Sequence, residues 1–259
     1  MTGVVGDVSS DLKDKIIYKV KAASVHLLIS VLVFIIFLYF ILYEWYPEPF
    51  FTAQGGWQGI RLMAFVDLVL GPTLTLIVYN HLKQRKYIIF DISVIVAVQI
   101  AALILGGYTV YSQRPIALVY WGTAFYTVTN DDYHKQGIET PDFSQYSQYI
   151  PPLIYSRPVA TEAELESSNR LTSKMIPAYA HIEFYAAIED NMEDILSNEV
   201  NMNEVMLTNP TMSKRIEELT NGDLDAYRYI ALNAKFHNMI LIMTEEGVLI
   251  GSVKAPVRG

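Results

Sequence analysis

Asp67, Thr75, His26, Asp91 and Gln99 are polar or ionisable side chains set inside long apolar runs of this chain. A carboxylate or imidazole in hydrocarbon is costly and ordinarily faces protein or water, so such residues mark contacts or proton paths. Asp67, Gly71 and Thr75 recur at i, i+4 and i+8, with Ala64 behind them, giving one helix face that is small and polar. Such a face packs closely against another helix. Pro72 removes a backbone donor and leaves the Leu68 carbonyl to be satisfied by neighbouring helices or hydroxyls. Ser93, Ala97 and Ala101 form a second small stripe, with Gln99 near the middle of its segment. Either three helices of the chain bind one another through these faces, or the faces leave a docking surface for a fourth. Counted inward from the ends of their segments, His26 and Asp91 fall at nearly the same depth, which predicts a His26–Asp91 pair.

The elements that must position them are three predicted transmembrane helices at 24–43, 60–80 and 87–111. Each has about 20 residues or more, enough to cross a hydrocarbon core of roughly 30 Å. The first is too long for a signal peptide, and YEWYPEP follows where a small-residue cleavage site would stand. Asp67 lies about seven residues, or roughly 10 Å, below the outer surface on this count. Lys13, Lys15, Lys19 and Lys21 precede the first span, and Lys83, Arg85 and Lys86 link the second to the third. The link between spans one and two has no Lys or Arg. Basic flanks stay in the cytoplasm, so the expected order is a cytoplasmic tail at 1–23, a transmembrane domain at 24–111 and a periplasmic domain at 112–259. Trp45, Tyr46, Trp57, Tyr108 and Tyr111 then gather at the outer interface, where aromatic rings are favoured.

Residues 112–259 carry 11 Lys or Arg against 20 Asp or Glu and read as an α+β domain. RPIALVYWGTAFYTVTN predicts two strands joined at Gly122. The stretch from Asp131 to Tyr155, rich in Tyr and Pro, predicts a long exposed loop or binding edge. TEAE at 161–164 is a capping box that starts a helix. HIEFYAAIEDNMEDILSN and Pro210 to Leu219 have roughly helical spacing. HNMILIMTEEGVLIGSV predicts a closing hairpin with Gly247 at positive φ.

A net charge of −8 argues against nucleic acid as a partner. The chain has no cysteine, so thiolate and disulfide chemistry are excluded. It has no nucleophile-elbow, zinc-protease, Walker or dinucleotide-binding pattern, and so implies no enzyme, no cofactor and no metal site. His181 in HIE is expected as a satisfied surface histidine, and EDNMED as a solvated helix face.

The chain resembles the type IV pilin accessory proteins called TfpX and TfpZ. The resemblance is carried by KAASVHLLIS at 21–30, WYPEPFF at 45–51, GGW at 55–57 and VDLVLGPTLTLIVYN at 66–80. It continues through DISVI at 91–95 with Gln99 beyond it, and GGYTVYSQRPIALVYWGTAFYTVT at 106–129. It implies a chaperone-like inner-membrane protein of a Gram-negative bacterium that binds the major type IV pilin and modulates pilus assembly. The implied partners are the pilin's transmembrane helix, its globular domain and membrane lipids, with homo-oligomers allowed. The implied docking residues are His26, Asp67, Gly71, Pro72, Thr75, Asp91 and Gln99. On that reading Asp91 and His26 receive the pilin's terminal amine and nearby glutamate; otherwise they lock two helices together. The alternative function is a membrane-anchored sensor with a ligand-binding periplasmic domain. A proton-coupled transporter would need more helices or repeats than one copy supplies.

Overall fold

The computed structural model describes residues 3–255 and divides the chain into two compact units. One unit comprises the residues up to Glu44 together with Trp57–Tyr111; the other comprises Trp45–Gly56 together with the residues from Ser112 onward. Positions 1–2 of the expected tail and 256–259 of the expected terminal domain lie outside the described residues.

The first unit holds three helices long and apolar enough to cross a membrane, at Lys13–Trp45, Gly56–Val78 and Arg85–Ser112. They are called here the first, second and third helix. The first is already helical at Gly3 and continues without a break to Tyr39, then widens into a π turn at Phe40–Trp45. Nothing between Lys13 and Ser24 would stop it, since that stretch has no Gly, Pro or capping signal and is rich in Lys and Ala. The expected tail and first span are therefore one element. Leu28, Ile77 and Leu105 are among many large apolar side chains left exposed, as a lipid-facing surface requires.

The link at 45–56, expected within the membrane domain, folds instead with the second unit. Phe50, Phe51 and Ala53 are buried in it. The Ala53 carbonyl accepts from the backbone N–H groups of Phe236 and His237, each at 3.2 Å. The Gln54 side-chain amide donates to the Thr127 hydroxyl. Burying two phenylalanines is worth roughly 1.5–3 kcal/mol each, which favours folding this segment over leaving it as a simple loop.

The second unit is a seven-stranded mixed sheet with helices, as the α+β reading expects. Its strands are β1 (Pro115–Trp121), β2 (Ala124–Thr129), β3 (Leu153–Ser156), β4 (Tyr185–Ala186), β5 (Arg228–Asn233), β6 (Met239–Met243) and β7 (Leu249–Lys254). The sheet order is β4-β3-β1-β2-β5-β6-β7. β1–β2 and β6–β7 are the two predicted antiparallel hairpins, and Gly247 has φ +85 in the second. β3 joins β1 in parallel, and β5 joins β2 in parallel. Every residue of β6 is buried, which is why it reads as an unbroken apolar run.

Three expectations for this unit are corrected. The stretch 131–155 is an exposed loop only in part: Glu139, Thr140 and Ile150 are exposed, but Tyr133, Phe143 and Tyr155 are buried, and Tyr155 lies on β3. Tyr133 and Tyr185 share a hydroxyl–hydroxyl hydrogen bond of 2.8 Å, and burial pushes both phenols well above their ordinary range. The stretch from His181 is helical only from Met192 to Ser197, apart from short 3-10 turns, and includes β4. His181 is fully buried, 3.3 Å from both the Ser168 hydroxyl and the Ile176 carbonyl. It is therefore a core imidazole rather than a surface one, and desolvation lowers its pKa. The capping box is present as predicted. Thr161 caps the helix Glu162–Ser173, and Glu164 reaches back to the Thr161 and Ala160 amides.

Candidate functional site

The second helix is wound in an uneven way that follows from its sequence. Pro72 has no N–H, so an α-helical ladder cannot run through it unbroken. Phe65–Leu70 is a π segment, with the Gly71 N–H bonded to the Val66 carbonyl five residues back. The α-helix then resumes as Gly71–Val78 with Pro72 in its first turn, where a missing donor costs least. The helix thus changes register just ahead of Pro72. Asp67, Gly71, Pro72 and Thr75 are all buried, as one small, polar face should be.

Three side chains from three helices meet at His26. His26 Nδ1 lies 2.6 Å from Thr75 Oγ1, and His26 Nε2 lies 2.7 Å from Gln99 Oε1. The Gln99 oxygen can only accept, so Nε2 carries the hydrogen; a neutral ring then accepts at Nδ1 from the Thr75 hydroxyl. Gln99 rests on Gly71 so closely that a Cβ there would lie 2.0 Å from the Gln99 amide nitrogen. The brace therefore needs an imidazole, a hydroxyl, an amide and a residue without a side chain.

The expected His26–Asp91 pair does not form. Asp91 Oδ2 is ion-paired instead with Lys83 Nζ at 2.6 Å, in the link just before the third helix. His26 stands level with Gln99, eight residues or about 12 Å beyond Asp91 along the third helix. The depth count failed because the first helix begins far ahead of its apolar run. The small stripe Ser93, Ala97 and Ala101 is exposed. The third helix instead buries Ile95 and Gly107, with Phe37 packed 3.2 Å from where a Cβ of Gly107 would be.

Between the first and third helices lies an apolar cleft of about 560 Å³. Val25, Ile29 and Val33 form one wall, and Val96, Ile100 and Leu103 the other. His26, Thr75, Gln99 and Asp67 also line it. Asp67 falls at the middle of the helix Gly56–Val78. It is 6% exposed, and its Oδ2 atom has no hydrogen-bond partner. Ser30, buried and also on the cleft, was not singled out in the sequence, although it follows His26 by one helical turn. Of the predicted docking residues, the structure thus brings His26, Asp67, Thr75 and Gln99 to one cleft, sets Gly71 beneath Gln99, and leaves Asp91 apart.

No family model matches the chain, and no solved structure matches it. Three curated relatives do. The chain is 33% identical over 108 residues to the fimbrial assembly protein of serogroups C1 and C2 of Dichelobacter nodosus, covering 42% of this chain and 82% of that one. It has the same identity, over the same length, to the fimbrial assembly proteins of serogroups E1 and I of that organism. In both cases the match spans 42% of the relative's length, less than half of it.

Proposed function

We propose that this chain, which belongs to the fimbrial assembly protein family, works in pilus assembly by holding the major type IV pilin in the membrane. In this reading it is a non-enzymatic, chaperone-like accessory protein of the TfpX/TfpZ type in a Gram-negative inner membrane. Lys13, Lys15, Lys19, Lys21, Lys83, Arg85 and Lys86 keep the N-terminus and second link cytoplasmic, and the sheet domain is periplasmic.

The observation that supports the reading is the cleft between the first and third helices. In lipid there is little hydrophobic drive for helices to associate, so contact depends on close packing and on polar pairs. The His26–Thr75–Gln99 brace ties the third helix to the other two at one level, leaving two apolar walls beside it. A pilin before assembly, as the resemblance implies, is a single apolar helix in the bilayer. Ridges on such a helix fit between two walls whose side chains recur every three or four residues. The periplasmic domain then meets the pilin's globular part, and lipid fills the cleft when it is empty.

The test is purification of the detergent-solubilised protein from cells that make pili, with mass spectrometry of what accompanies it. The expected companion is the major pilin, recovered in amounts comparable to the protein itself. Purification free of pilin, from membranes that contain it, would overturn the reading.

A further inference from the structure

Exposed apolar walls alone say only that lipid touches them, but Asp67 asks for more. Its carboxylate lies at the centre of the second helix on the floor of the cleft, 6% exposed, with Oδ2 unpartnered. An acyl chain cannot satisfy it, and both His26 ring nitrogens, the Thr75 hydroxyl and the Gln99 oxygen are engaged with one another. A carboxylate rotates readily about its last torsion, so either oxygen can face the cleft.

We infer that the cleft is built for an apolar transmembrane helix bearing one side-chain hydrogen-bond donor, which pairs with Asp67 at mid-membrane depth. The inference rests on the reading of the cleft as a helix-docking site, and it adds the recognition chemistry. Size agrees with one helix face. A helix about 10 Å across fills roughly 420 Å³ per turn, so 560 Å³ admits the side chains of one face over several turns rather than the whole helix. The apolar walls give the affinity without selectivity, since any apolar helix offers similar contacts. The single unpaired carboxylate selects the helix whose donor stands at its level, because a helix without one leaves it unsatisfied.

The test uses the full chain in its native membrane, with a photo-crosslinking side chain at Ile29 or Ile100 in the cleft, or at Leu28 or Leu105 on the lipid-facing surface. The expected result is peptide adducts from a transmembrane segment at the cleft positions, several-fold above the lipid-facing ones. The crosslinked segment, mapped by mass spectrometry, should carry a donor side chain within a turn of the attachment point. Asp67→Leu should lower the adduct yield per inserted protein about fivefold, and Asp67→Asn should keep at least half of it. Lipid adducts alone at Ile29 and Ile100, a mapped segment with no donor, or equal yields for wild type and Asp67→Leu would overturn the inference. The mapped-segment readout needs no Asp67 variant and stands even if Asp67→Leu fails to accumulate. If the mapped donor-bearing helix is not the pilin's, the cleft chemistry holds and the pilin reading fails.

Discussion

Gln99 of the third helix lies directly over Gly71 of the second, its amide nitrogen 2.0 Å from where a Cβ of residue 71 would be. The space that position 71 leaves empty is therefore what lets Gln99 reach His26. A methyl group there forces the Gln99 amide to swing away, and the 2.7 Å contact with His26 is lost. Gly71→Ala should thus resemble Gln99→Ala, each loosening the three-helix unit by on the order of 1 kcal/mol. The double variant should cost little more than either single one, because both remove the same contact. Additive losses in detergent thermal stability would show that Gly71 matters for something other than seating Gln99.

His26→Leu removes both arms of the brace at once. It leaves the Thr75 hydroxyl and the Gln99 amide without their shared partner in a low-dielectric setting, where an unmade polar contact is costly. We expect the variant to be less abundant in the membrane and to melt earlier in detergent than wild type. His26→Asn can keep only one arm and should fall between them. Wild-type abundance and melting for His26→Leu would show that the brace contributes nothing to holding the helices together.

Orientation is checked independently of packing. A reporter active only in the periplasm, fused after the last residue, should be active, and the same reporter placed in the link at Lys83–Lys86 should be silent. The expectation follows from the basic flanks and their absence between the first two helices. The reversed pattern of activity would put the sheet domain in the cytoplasm.

How much of this was legible in the sequence depended on whether local pattern or distant contact decided each feature. The three long apolar helices, the β1–β2 hairpin, the Thr161 capping box and the terminal hairpin are local, and all are present. The spacing of Asp67, Gly71 and Thr75 put all three on a buried face. The partner of His26 was misjudged because helix register depends on where neighbouring helices begin, and the first begins by Gly3. β3 and β5 were missed for a different reason. β3 pairs in parallel with β1, distant in sequence, while β5, though it forms an antiparallel hairpin with β6, is joined to it by 234–238, which carries no Gly or Pro to mark a turn. The tyrosines of 131–155 looked solvent-bound because Asp, Gln and Ser surround them, yet Tyr133 is fully buried against Tyr185.

Acid should weaken the sheet domain through Glu164. Arg157 and the amides of Ala160 and Thr161 hold its carboxyl down at about 2, against an ordinary 4.5. A depressed folded pKa gives stability that is fully present above about 4.5 and is lost as pH falls toward 2. Glu164→Gln should therefore melt earlier than wild type at pH 6, with the gap closing as the pH approaches 2. The change in melting is small because the Arg157–Glu164 pair is partly open to solvent. Near-ultraviolet circular dichroism of the full chain in detergent checks it; a gap unchanged between pH 6 and 3 would assign the effect to lost packing instead.

The fold of the segment 45–56 is sensitive to one backbone position, Gly55. Gly55 has φ +77, a conformation that side chains disfavour, and a Cβ there would lie 2.6 Å from the Phe236 ring. Strain alone costs on the order of 1 kcal/mol for a residue with a Cβ at such a φ, and the contact with a ring seated beside the backbone adds to it. The consequence should spread along the segment. If Phe236 moves, its N–H and that of His237 lose the Ala53 carbonyl they share, and Gln54 loses its hold on Thr127. Gly55→Val should therefore free the segment from the sheet domain without touching any residue of the membrane cleft. Limited proteolysis of the full chain in detergent should then cut near Phe50 and Phe51 in the variant, while wild type resists. Gly59→Ala is the control, since a Cβ at Gly59 meets nothing within 4 Å. Equal cleavage of wild type and Gly55→Val in this segment would mean that 45–56 is not held by these contacts.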